Sequence, residues 1–195
     1  MKLDIILSGV GGQGILSIAA IIGEAALEEG LHIKQAEVHG MSQRGGDVQS
    51  NLRISSTEIY SDLIAKGTAD AIISLEPMEA LRYLPYLSQQ GWVVANSAPY
   101  VNIGNYPELD TVLKELSSLP NVILLDVDAL AKEGGVGRST NMVLLGAASV
   151  ILGMDYDKLE DAIARVFARK GEAIVDMNKK ALSIGREAGE GQVKK

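Results

Sequence analysis

Three stretches of this sequence carry the residue types that grip anionic groups. The first, Gly9-Val10-Gly11-Gly12-Gln13-Gly14, meets the Gly-x-Gly-x-x-Gly spacing through Gly9, Gly11 and Gly14. Glycines there let the chain turn sharply and bring backbone N–H groups close to a phosphate, at a helix start that is partially positive. The same spacing also serves a tight strand-to-helix connection with no ligand. Gly12 and the small amide Gln13 fill the free positions, more glycine than a connection requires. The second stretch, His39-Gly40-Met41-Ser42-Gln43-Arg44-Gly45-Gly46-Asp47, is too polar and glycine-rich for a core element. Arg44 beside two glycines would present its guanidinium to a phosphate or carboxylate, or would pair with a nearby acid such as Asp47. The third, Gly134-Gly135-Val136-Gly137-Arg138-Ser139-Thr140-Asn141, places Asn141 where it either bonds the loop backbone or faces a crevice.

Independent chemistry is harder to find. There is no cysteine, so the chain has no disulfide and no thiolates of its own for an iron–sulfur cluster. Two histidines, His32 and His39, make an intrinsic zinc site improbable, and no Ser/His/Asp set or paired carboxylate stands out. Glu37 lies about twenty positions after the glycine turn, where a dinucleotide-binding domain grips ribose hydroxyls. An NAD-type reading using Gly9, Gly11, Gly14 and Glu37 therefore competes with a solvated strand-end carboxylate. Glu76, Glu79 and Arg82 read as the solvated face of a short helix.

The elements that must position these loops follow from periodicity. Short apolar runs at 3–8, 31–38, 69–75, 92–97 and 122–125 predict buried strands. Strict alternation over Val48–Ser55 predicts a half-exposed strand, antiparallel or at an edge, whose polar face a partner chain could cover. Helices are predicted at 15–29, from Pro77 to about 87, at 108–116, at 129–132 with Asp128 as its cap, and at 142–152. Two amphipathic helices, 156–169 and 172–187, complete the set. The expected fold is α/β: a single Rossmann-like three-layer domain, with a mostly parallel sheet and helices on both faces. It should occupy residues 1–188, followed by a flexible tail at 189–195. A net charge of −7 argues against a nucleic-acid surface. With no apolar run long enough for a membrane span and no leader-like start, the expected location is cytoplasmic.

Taken together, residues 9–14, His-Gly-Met-Ser-Gln-Arg-Gly-Gly (39–46) and Ser-Thr-Asn-Met-Val-Leu-Leu-Gly (139–146) resemble the gamma domain of the 2-oxoacid:ferredoxin oxidoreductases, and within it the small (beta) subunits of the indolepyruvate type. The resemblance covers essentially the whole chain. It implies an accessory subunit, inactive alone, in a complex that oxidatively decarboxylates an aryl-2-oxoacid to the aryl-acetyl-CoA and passes electrons to ferredoxin. Coenzyme A would be the co-substrate, while thiamine diphosphate and [4Fe-4S] clusters would sit on the large (alpha) partner subunit. Carried over residue by residue, the coenzyme A contacts would come from Gly11, Gly12, Gln13, Gly14, Ser42, Arg44, Gly45, Gly46 and Asn141. Apart from its partner, such a subunit is expected to self-associate through the surface it normally buries.

Overall fold

The computed structural model describes residues 1–39, 45–101 and 103–193. Its centre is a six-stranded sheet in the order β2-β3-β1-β4-β5-β6, formed by β1 (Lys2–Val10), β2 (His32–His39), β3 (Asp47–Ser55), β4 (Ala69–Ser74), β5 (Leu87–Asn96) and β6 (Val122–Leu125). β1, β4, β5 and β6 run parallel, and β3 lies antiparallel to both β1 and β2. Of the two sequence alternatives for β3, the antiparallel one holds, and the edge position goes to β2.

Alternation along β1 sorts the core into two layers. Leu3, Ile5 and Leu7 face a large cluster shared with α1 (Ile15–Glu28), α4 (Val127–Glu133), α5 (Thr140–Ser149), α6 (Tyr156–Phe167) and α7 (Glu172–Val193). Ile6 faces a smaller cluster under α2 (Pro77–Arg82) and α3 (Leu109–Ser117). Helices thus cover both faces, as the sheet's largely apolar parallel strands require. α5 is apolar all round because it is buried on all sides, between the sheet and α7.

The polar face of β3 is not left for a partner. Arg53 donates to both Asp4 carboxylate oxygens, at 2.8 and 3.1 Å, and also to the Ser61 and Leu63 carbonyls. Asn51 accepts from the Ile64 N–H. These bonds fold the 56–68 segment back over the strand, which is why the alternating polar residues are half-buried or buried. Other boundaries move too. α2 stops at Arg82, and the chain enters β5 at Leu87, earlier than the apolar run alone suggests. Asp126, not Asp128, caps α4 by accepting from the Ala129 N–H at 2.8 Å. α7 continues to Val193 in place of the frayed tail expected from residue 189, because Gly189 lies against the Ala147 backbone.

Candidate functional site

β1 delivers the glycine turn to the C-terminal end of the parallel strands, the end where α/β proteins build their sites. The turn is held from three directions. Gln13 spans it: its Oε1 accepts from the Val10 N–H at 2.7 Å and its Nε2 donates to the Leu75 carbonyl at 3.1 Å. The second glycine loop bonds the first through the backbone, with the Gly11 N–H donating to the Gly46 carbonyl at 2.8 Å and the Gly45 N–H to the Gly11 carbonyl at 3.4 Å. From the third loop, the Asn141 Nδ2 donates to the Gly14 carbonyl at 3.2 Å, while its Oδ1 accepts from the Met142 N–H. Gly11, Gly12, Gln13, Gly14, Gly45, Gly46 and Asn141 are therefore one assembly. Ser42 and Arg44 lie outside the described residues.

Two glycines are dictated by this geometry. Gly14 has φ +92°, and a Cβ there would sit 2.6 Å from the Asn141 Nδ2. Gly12, at φ +104°, has open space where its Cβ would be, so its backbone faces the crevice bare. Beyond the turn, α1 begins with no side-chain cap and no acid in its first turn. Its partial positive end thus opens onto a cleft of about 250 Å³, lined by Val10, Gly11, Gly12, Ile15, Leu16 and Val48 among others. The wall suits an uncharged body with an anionic group at the helix start.

Next to the turn lies a cluster that sequence reasoning assigned to solvent. Glu76 and Glu79 are 1% and 3% exposed. Glu76 caps α2 by accepting from the Glu79 N–H at 2.8 Å, and it also accepts from the Tyr106 hydroxyl and, at 3.4 Å, from the Tyr100 N–H. Tyr100 and Tyr106 thus close over the carboxylate from the chain that follows β5. Glu79 is paired by Arg82 at 2.8 Å, but burial dominates and pushes its carboxyl above the ordinary range. Burial and the Glu76 bond likewise push the Tyr106 phenol far up. The signal in the sequence was Glu76-Pro77 directly after an apolar run, the pattern of a capped helix start at a strand end. Asn96 joins the same end, donating to Asp128 at 2.9 Å and accepting from the Val127 N–H.

Glu37 does not reach the glycine turn. Its strand β2 is separated from β1 by β3, so it lies about 10 Å away across the sheet, two strand spacings. It is exposed and accepts from Gln35 at 2.7 Å. A ribose grip of the NAD type needs the acidic strand beside β1, and the inserted antiparallel strand removes that arrangement. Among the described residues no group of His, Cys, Asp and Glu could hold a metal ion, and no helix is long and apolar enough to cross a membrane.

Fold and site together define a glycine-loop α/β domain that presents backbone donors in a crevice. Residues 4–188 match the family described as pyruvate ferredoxin/flavodoxin oxidoreductase, and the chain belongs to that family. Among its relatives is the indolepyruvate oxidoreductase subunit IorB of Archaeoglobus fulgidus, 40% identical over 95% of this chain and 94% of that protein. The ketoisovalerate oxidoreductase subunit VorA of Methanothermobacter marburgensis is 30% identical over 93% of this chain, which spans 35% of VorA. A keto/oxoacid ferredoxin oxidoreductase gamma subunit from Geobacter sulfurreducens has the same fold, with TM-score 0.69 and 26% identity over 97% of this chain and 99% of its own. So does part of the 2-oxoglutarate:ferredoxin oxidoreductase of Magnetococcus marinus, solved with 2-oxoglutarate, coenzyme A and succinyl-CoA. There the TM-score is 0.76 at 23% identity, over 97% of this chain and 31% of that one.

Proposed function

We infer that this chain is the small, accessory subunit of an aryl-2-oxoacid:ferredoxin oxidoreductase of the indolepyruvate type, inactive without its large subunit. The relatives at 34–40% identity over nearly the full chain carry the indolepyruvate assignment. The observation that carries the role is the glycine crevice: three loops tied to one another around an uncapped helix start, with a bare Gly12 backbone. Coenzyme A is the ligand this arrangement suits, its pyrophosphate meeting the N–H groups of Gly12 and Gly14 at the helix start, while Gly11, Gly45 and Gly46 tie the two loops together. Gln13 and Asn141 would act by holding the turn. Ser42 and Arg44 are assigned from sequence alone, Arg44 as a phosphate partner. Iron–sulfur clusters do not fit here, since the chain offers no cysteine ligand, and thiamine diphosphate goes with them by the family resemblance. They belong to the large subunit, which passes electrons to ferredoxin. The site of action is taken as the cytoplasm.

The test uses the assembled complex. Leu16 lines the cleft in the first turn of α1 and is 41% exposed, so Leu16→Glu adds charge without disturbing the core. An acid there favours the helix start but repels a phosphate. Leu16→Glu and Arg44→Ala are each expected to raise the apparent KM for coenzyme A about tenfold or more, equivalent to losing one charge-assisted contact. The KM for indolepyruvate should stay within about twofold, since the oxoacid pocket is assigned to the large subunit. If coenzyme A saturation is unchanged in both variants, the crevice is not its site.

A further inference from the structure

A second depression, of about 230 Å³, lies on the other side of the α1 start, between the beginnings of α1 and α5 and the α6–α7 junction. Its chemistry differs from that of the glycine crevice. Arg138 and Lys170 both line it, no acidic residue does, and neither cation has a carboxylate partner among the described residues. Lys170 is held with its Nζ 5.0 Å from the centroid of the Phe167 ring, which fixes the ammonium at the rim. Ser139 forms part of the wall and stands at the N-cap of the ten-residue helix α5. A serine at that position ordinarily caps the helix with its own hydroxyl. Here it does not: Ser139 is 1% exposed, and its Oγ has no hydrogen-bond partner. A buried hydroxyl left unpaired is costly unless something else satisfies it.

We propose that Arg138, Lys170, the Ser139 hydroxyl and the start of α5 form a binding site for a phosphate-class oxyanion, distinct from the glycine crevice. Two cations, a hydroxyl donor and a helix N-terminus, supplied by residues 138–140 and by the α6–α7 junction, line a space large enough for one tetrahedral oxyanion. The oxyanion has two candidate sources: a free phosphate, or the phosphate of a nucleotide that also reaches the glycine crevice. Asn141 connects the two sites physically, lining this one while bonding Gly14 in the other.

Calorimetric titration of the full chain with inorganic phosphate, and in parallel with ADP, tests this. One saturable phosphate site is expected, weakened about tenfold in Arg138→Gln and in Lys170→Gln, the loss of one charge-assisted contact each. Both side chains are exposed, so these variants should keep the parent melting temperature. Ser139→Ala should weaken phosphate about threefold, and Leu16→Glu should leave it unchanged. That last outcome separates this site from the crevice, whose assignment can fail independently. Equal affinities for phosphate and ADP identify a free oxyanion. Tighter ADP binding that falls to the phosphate level in Leu16→Glu identifies a ligand spanning both sites. Absence of saturable phosphate binding, or binding indifferent to Arg138→Gln and Lys170→Gln, overturns the proposal.

Discussion

At the scale of single residues, the loops are fixed by contacts only a few atoms wide. Gly14 is the clearest case, because its positive φ and the nearby Asn141 amide each exclude a side chain. Gly14→Ala should cost about 1–2 kcal/mol for the left-handed backbone alone, plus the displaced Asn141 bond. Urea unfolding should show the combined loss as a lower midpoint with an unchanged slope. Asp4 offers a pH test far from the site. Burial pushes its carboxyl up, but the bonds from Arg53 and Lys2 outweigh that and hold it below the ordinary range. A carboxyl whose folded value is depressed stabilises the protein above about pH 4, and that stability is lost as pH falls through the folded value. Asp4→Asn should therefore cost about 2 kcal/mol at pH 7, with the difference from the parent closing as pH drops toward 3. A constant gap across that range would show that packing, not charge, holds Asp4. Gly11–Gly14 were legible in the sequence because the turn is local. Glu76 was not, because what covers it is Tyr100 and Tyr106, from the stretch of chain that follows β5.

Among the elements, helix periodicity was read well, and strand order was not. The alternation in β3 marked it as different without saying where it would pair. The few residues that separate it from β2 in the sequence favour antiparallel pairing with β2 over a crossover, while its insertion between β1 and β2 was not legible. That insertion is also what carries Glu37 away from the turn. Burial of α5 was legible from its unbroken apolar surface, but the closeness of α7 was not. Added Cβ atoms at Gly146 and Gly185 would come within 2.0 and 1.8 Å of opposing carbonyl oxygens. The helices touch backbone to backbone there, so Gly185→Ala must push them apart and should cost about 3 kcal/mol or more. Gly191→Ala, in the same helix with nothing near its Cβ, should instead stabilise by about 0.5 kcal/mol through helix propensity. Thermal melts of the pair separate crossing from propensity: two shifts of the same sign would mean that α5 and α7 do not pack this closely.

For the whole molecule, the asymmetry between its ends bears on assembly. The outer helices carry charge in regular spacing, with Arg165 bridging Glu24 and Glu28 at 2.8 and 2.6 Å. At the C-terminal end of the parallel strands, Tyr100, Val101 and Ile103 are 46%, 65% and 41% exposed, on the segment strapped down by Glu76. Exposed apolar side chains in one segment beside a candidate site are the usual mark of a surface that another protein covers. The longer relatives place the same argument in a covalent setting, since a domain like this one makes up about a third of VorA. In the complex proposed above, with a separate large subunit, the contact would be supplied by recognition. Val101→Asp places a charge on that segment without touching the core, so the isolated subunit should melt within about 1 °C of the parent, a surface effect of a few tenths of a kcal/mol. In the complex, the same charge would have to be desolvated against the large subunit, and copurification should fall about tenfold or more. A lysine in place of Arg165 on the opposite face should leave copurification unchanged. If both variants assemble normally, the large subunit approaches from a direction other than the glycine crevice, and coenzyme A held there would not be covered by it.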